Sequence, residues 1–85
     1  MPHEKKYKRF GPSLAALLCI CQTSQSELAL KIDISRGSVS NWINGRYLPT
    51  ITQLYNLWDV LTPDQPEILA KLAHSIVLDK NDHIL

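Results

Sequence analysis

The eleven residues from Ser35 to Gly45, SRGSVSNWING, constrain this chain more than any other stretch. Ser, Gly and Asn fill seven of the eleven places, and such residues compete with helix by bonding their own backbone. Yet Val39, Trp42 and Ile43 recur at i, i+3 and i+4, the spacing of one helix face. A chain that sets poor helix formers around a helical apolar stripe needs that helix for something other than stability.

The flanks show how it is held. Ser24, with Glu27 three residues on, forms a capping box that opens a helix whose inner face is Leu28, Ala29 and Ile32. Asp33 interrupts, Ser35 is a second N-cap, and a further helix is expected from Arg36 to about Asn44, with Gly45 in the left-handed C′ position. Two short helices joined by about three residues are the helix-turn-helix signature. At the crossing the first helix must be small, as Ala29 is, and ten residues later a compact plug, Val39, is needed. The turn wants a residue that tolerates positive φ, and Asp33 does so better than most non-glycine residues.

Eighty-five residues with 45% hydrophobic content suit one domain with one core. The pattern yields five helices and no strand. The first is expected over about Pro12 to Gln22, apolar almost all round and so buried on several sides. The fourth opens with Thr50, boxed by Gln53, and carries Ile51, Leu54, Tyr55, Leu57, Trp58 and Leu61. The fifth is expected over about Gln65 to Leu78 with Asp64 as cap. Residues 1–11 read as a basic N-terminal arm, 12–78 as the helical domain and 79–85 as a frayed tail.

The net charge of +1 conceals a segregation. Up to Pro49 there are seven Lys or Arg against Glu4, Glu27 and Asp33; from Thr50 onward Lys71 and Lys80 face five acids. A basic front half is compatible with a polyanionic partner, and also with chance. Cys19 and Cys21 point to opposite sides of a helix and can neither bridge nor share a metal. They read as buried thiols in a reducing compartment. MPHEKKYKRFGPS followed by LAALLCIC imitates a secretory leader. Eight apolar residues are too few to span a bilayer, and cutting near Cys21 would remove the first helix, so a cytoplasmic, soluble protein is expected. No catalytic set, cofactor or metal site is expected either, because the His residues are scattered and no nucleophile–base pair or phosphate loop is present.

SQSELALKIDISRGSVSNWINGRYLPTITQLYNL resembles the helix-turn-helix of the phage repressor and Cro-like (XRE-type) family, over roughly Leu14 to Leu61. Gln25, Glu27, Leu28, Ala29, Ser35, Val39, Ser40, Trp42, Asn44, Gly45 and Pro49 fall in register with its pattern. The resemblance implies an all-α, five-helix, lambda-repressor-like domain that binds double-stranded operator DNA as a transcriptional regulator. An antitoxin or a protein-interaction module on the same fold is the alternative.

At 100° per residue, Arg36, Gly37, Ser40, Asn41 and Asn44 share an arc of about 140°. The resemblance assigns base contacts to Arg36, Gly37 and Asn41, with Ser40 adjacent. Arg can fork onto guanine and Asn onto adenine. Gly37 departs from the pattern: it either lets the backbone sit deep in the groove or leaves one base unread. Phosphate contacts fall to Gln25, at a helix N-terminus, and to Ser38, Asn44, Arg46 and Tyr47. Asn44 as a simple cap and Tyr47 packed on the fourth helix are the plainer readings.

Leu18 and Ile43 stand where family members often carry a buried Arg–Glu pair, so a contact replaces an ion pair. Lys5, Lys6, Lys8 and Arg9 form either an arm gripping DNA or an ordinary solvated terminus. On the fifth helix, Ile68, Leu69, Leu72 and Ile76 belong to an apolar arc of about 180°. That is wider than a roofing helix needs, which suggests the face of a two-fold homodimer.

Overall fold

The computed structural model describes residues 6–61 and 66–82. Lys5 of the basic segment, Asp64 and Gln65 at the expected opening of the last helix, and residues 83–85 lie outside the described residues. The described residues form five helices: α1 (Phe10–Ile20), α2 (Gln25–Lys31), α3 (Arg36–Ile43), α4 (Ile51–Val60) and α5 (Pro66–Asn81). Among the described residues there is no strand.

Helix starts follow local chemistry where the sequence offers it. Ser24 Oγ accepts the Glu27 N–H at 3.0 Å while Glu27 accepts the Ser24 N–H at 3.1 Å. Thr50 and Gln53 do the same for α4, at 3.1 and 2.8 Å. Ser35 Oγ accepts the Ser38 N–H at 3.1 Å and opens α3.

The ends of α1, α2 and α3 share one device. Gln22, Asp33 and Gly45 sit at φ 53, 57 and 76°. In each case the next N–H reaches back to the carbonyl five residues earlier: Thr23 to Leu18, Ile34 to Ala29 and Arg46 to Asn41, at 2.9, 3.0 and 2.9 Å. This is the Schellman closure. Only the third uses glycine; Gln22 and Asp33 adopt a left-handed backbone at a steric cost that packing must offset.

The start of α1 departs from expectation. The helix begins at Phe10 rather than Pro12, so the end of the supposed arm is core: Phe10 is fully buried and Gly11 is buried. Pro12 still falls within the first turn, where its missing N–H removes no intrahelical bond. No side chain of the N-cap residue Arg9 serves this end. Instead the Asp79 carboxylate, 1% exposed on α5, accepts the N–H groups of Lys8, Arg9 and Phe10 at 3.2, 3.1 and 2.8 Å. Arg9 adds a salt bridge to Asp82 and a longer one, 3.8 Å, to Asp79. Residues 79–81 are therefore the last turn of α5 and a tertiary anchor, not a frayed tail.

The core draws on every helix: Phe10, Leu14, Leu17 and Leu18 from α1, Leu28 and Ala29 from α2, Val39 and Trp42 from α3, Leu57 from α4, Leu72 and Ile76 from α5, with Ile32 and Leu61 just beyond α2 and α4. Ile43 packs against it. Helix α1 is not buried all round, because Ala15, Ala16, Cys19 and Ile20 are exposed. Cys19 is thus an exposed thiol and Cys21 a half-buried one, which corrects the expectation of two buried thiols. On α4, Ile51 and Tyr55 face outward.

Helix α1 crosses the C-terminal turn of α3 so closely that only glycine fits at position 11. A Cβ there would overlap the Ile43 carbonyl oxygen and lie 2.9 Å from the Trp42 oxygen. Both obstacles are backbone and cannot rotate away. Gly11→Ala is expected to destabilise the fold by about 1–3 kcal/mol or more, measured by urea unfolding; a stability unchanged from the parent would refute this close approach.

Candidate nucleic-acid interface

Helix α3 turns Val39 and Trp42 into the core. The opposite surface carries the residues expected to read bases: Arg36 and Gly37 exposed, Ser40 and Asn41 half-buried. All four lie on one face, with Asn44 exposed at its C-terminal end.

This face is internally tied. Asn44 Nδ2 donates to Ser40 Oγ at 3.2 Å, and Arg46 Nη1 donates to Asn41 Oδ1 at 3.0 Å. The second bond exists because the left-handed backbone at Gly45 folds the chain back, placing Arg46 over the last turn of α3. The Ser38 and Ser35 hydroxyls are 3.0 Å apart, so Ser38 is engaged with the cap. Asn41 keeps its amide donors and a second lone pair on Oδ1, and the Arg46 guanidinium keeps further N–H groups. Among the described residues the Arg36 guanidinium makes no hydrogen bond or ion pair.

Gly37 differs in kind from Gly11. A Cβ at Gly37 would meet only Ser35 Oγ, at an ordinary 3.8 Å. Neither packing nor backbone conformation asks for glycine there, so the fold does not explain it. Of the flanking residues, Gln25 is half-buried at the start of α2, while Arg46 and Tyr47 are exposed in the loop after α3. Tyr47 is therefore not packed away on α4.

Two expectations need correction. Leu72 and Ile76 of the supposed dimer face are buried in the chain's own core, and Ile68 and Leu69 pack against it. The surplus apolar arc of α5 is largely taken up by α1 and the rest of the bundle. Within the supposed arm, Arg9 is turned to Asp79 and Asp82, so its charge is committed to α5; Lys6 and Lys8 are exposed.

Among the described residues, no group of His, Cys, Asp or Glu is placed to hold a metal ion. No helix there is long and apolar enough to cross a membrane.

A short helix capped by serine, packed against a second short helix and presenting a polar face, defines a helix-turn-helix module. The chain belongs to the helix-turn-helix family of the phage repressor and Cro-like (XRE) type, whose family model matches residues 14–61. No curated protein and no solved structure matches it. The family is one of DNA-binding regulatory domains.

The Ser24 backbone N–H, then the Ser24 hydroxyl and Lys31, hold the Glu27 carboxyl below its ordinary value of 4.5. The stabilisation this gives α2 is complete above that value and is lost as pH falls through the depressed folded value. Against Glu27→Gln, the parent's stability advantage should disappear on acidification; a gap constant with pH would refute the assignment. At Gly37, alanine should stabilise the fold by up to about 1 kcal/mol, since glycine in a helix costs that much. Urea unfolding that shows a loss instead would mean the fold does require this glycine.

Proposed function

We propose that this protein is a sequence-specific regulator of transcription, a repressor, that inserts α3 into the major groove of a palindromic operator as a two-fold homodimer. The observation that carries the reading is the outward face of α3. It is built from short hydrogen-bonding side chains and a glycine that the fold does not need, where a merely solvated helix would carry Glu, Lys and Ala. In this reading Arg36, Gly37, Ser40 and Asn41 meet base edges, with Arg36 forking onto guanine and Asn41 pairing with adenine. Gly37 lets the backbone approach the bases closely. Gln25, Ser38, Asn44, Arg46 and Tyr47 meet phosphates on either side.

The ties within the face support this division of labour. Arg46 holds Asn41 in place in the unbound protein, so the reading amide is already oriented when DNA arrives, which lowers the entropy lost on binding.

Enrichment of duplexes from a random library by the wild-type chain tests the proposal, and the enriched sites should be palindromic. Arg36→Ala should relax preference at one base pair of each half-site and cost roughly 1–3 kcal/mol. Arg46→Ala should flatten the salt dependence on every duplex and, by freeing Asn41, also weaken the preference for the enriched sites. Equal losses on enriched and scrambled DNA for both variants would overturn the assignment, and failure to enrich any sequence would overturn the function.

A further inference from the structure

A groove of about 520 Å³ opens beside the loop that follows α3. Three cations line it from segments far apart in the chain: Lys6 before α1, Arg46 after α3 and Lys80 in the last turn of α5. Tyr7 and Tyr47 add phenol groups, and Pro49 is part of the wall. Among the described residues that line it there is no carboxylate.

The convergence is built rather than incidental. The Tyr7 N–H donates to the Gly45 carbonyl at 2.9 Å, which docks the N-terminal segment on the α3–α4 loop. Over the next three residues the Asp79 carboxylate takes the N–H groups of Lys8, Arg9 and Phe10 and docks the same segment on α5. Residues 7–10 thus bridge the two elements and draw Lys80, next to Asp79, to the same groove as Arg46. The acids at this end of α5 are taken up elsewhere: Asp79 by backbone N–H groups and Arg9, Asp82 by Arg9. Among the described residues Lys80 has no ion-pair partner, and Lys6 lies over the Tyr7 ring at 5.4 Å.

We propose that this groove holds the phosphodiester backbone of the same duplex that α3 reads, with Lys6 and Lys80 as phosphate contacts. Arg46 belongs to both surfaces, bonded to Asn41 of the reading face and lining the groove, so the groove adjoins that face at Arg46. The inference rests on the DNA-reading function. It extends the footprint to α5, an element outside the matched residues 14–61.

The test uses the full chain with Lys6→Gln, Lys80→Gln, their double variant and Lys80→Arg. Binding is followed by fluorescence anisotropy across salt, against a duplex enriched by the wild type and a scrambled duplex of equal length. Each glutamine variant should lower the slope of log Kobs against log salt by about 0.9. Both duplexes should weaken equally, leaving their ratio unchanged, and Lys80→Arg should retain the wild-type slope. Both lysines are exposed, and circular dichroism checks that the variants remain folded. A wild-type slope in the double variant, with Arg36→Ala still relaxing base preference, would overturn the groove alone. A wild type that enriches no duplex would overturn the groove and the reading together.

Discussion

The contact on which the rest of this structure depends is the Asp79 carboxylate accepting three backbone N–H groups at the start of α1. A helix N-terminus leaves four such donors without intrahelical partners, and neither Arg9 nor Pro12 supplies a local cap. The carboxylate comes from α5, some seventy residues away, and its charge also suits the positive end of the α1 dipole. The bonds are partly or fully buried and charge-assisted. This one side chain closes the two ends of the domain on each other and makes α1 a fixed strut.

What that strut supports is α3. Gly11 brings the backbone of α1 into contact with the Trp42 and Ile43 carbonyls, so the C-terminal turn of α3 rests on main chain rather than on adjustable side chains. From below, Val39 and Trp42 are gripped by the core. The outward residues of α3 have little influence on its position. Poor helix formers are tolerated there because tertiary contacts, not propensity, hold the helix in place.

Much of this frame was legible in the sequence wherever its cause was local. Ser24, Ser35 and Thr50 were recognisable as caps because a cap and its partner lie three residues apart, and Asp33 and Gly45 because a left-handed turn restricts residue type. The common face of Arg36, Gly37, Ser40 and Asn41 follows from helical period alone. The Asp79 anchor was not legible, since nothing near position 79 marks a carboxylate that will cap a helix at position 10. Phe10 and Gly11 were lost with it. Pro12 suggested a later helix start, although Phe10, Leu14, Leu17 and Leu18 already traced the stripe. Leu72 and Ile76 were read as surplus because an apolar arc does not say whether a neighbour in the same chain will cover it, and α1 is one such neighbour. The Asn41–Arg46 bond was equally hidden, as it forms only once Gly45 has folded the chain back.

The bonds on the reading face differ from those beneath it in a way that bears on function. Asn41–Arg46 and Ser40–Asn44 are exposed, so water or a base edge can replace either partner at small net cost. The Asp79 and Gly11 contacts have no such substitute. Rigidity is therefore concentrated where α3 is mounted, and exchangeable bonds are concentrated where it meets its target. Arg46 stands at the junction: it orients Asn41 in the free protein and, on the proposed reading, turns to phosphate in the complex. An arginine in that position couples the two kinds of contact, since a strand that draws its guanidinium away also releases the Asn41 oxygen to accept from a base.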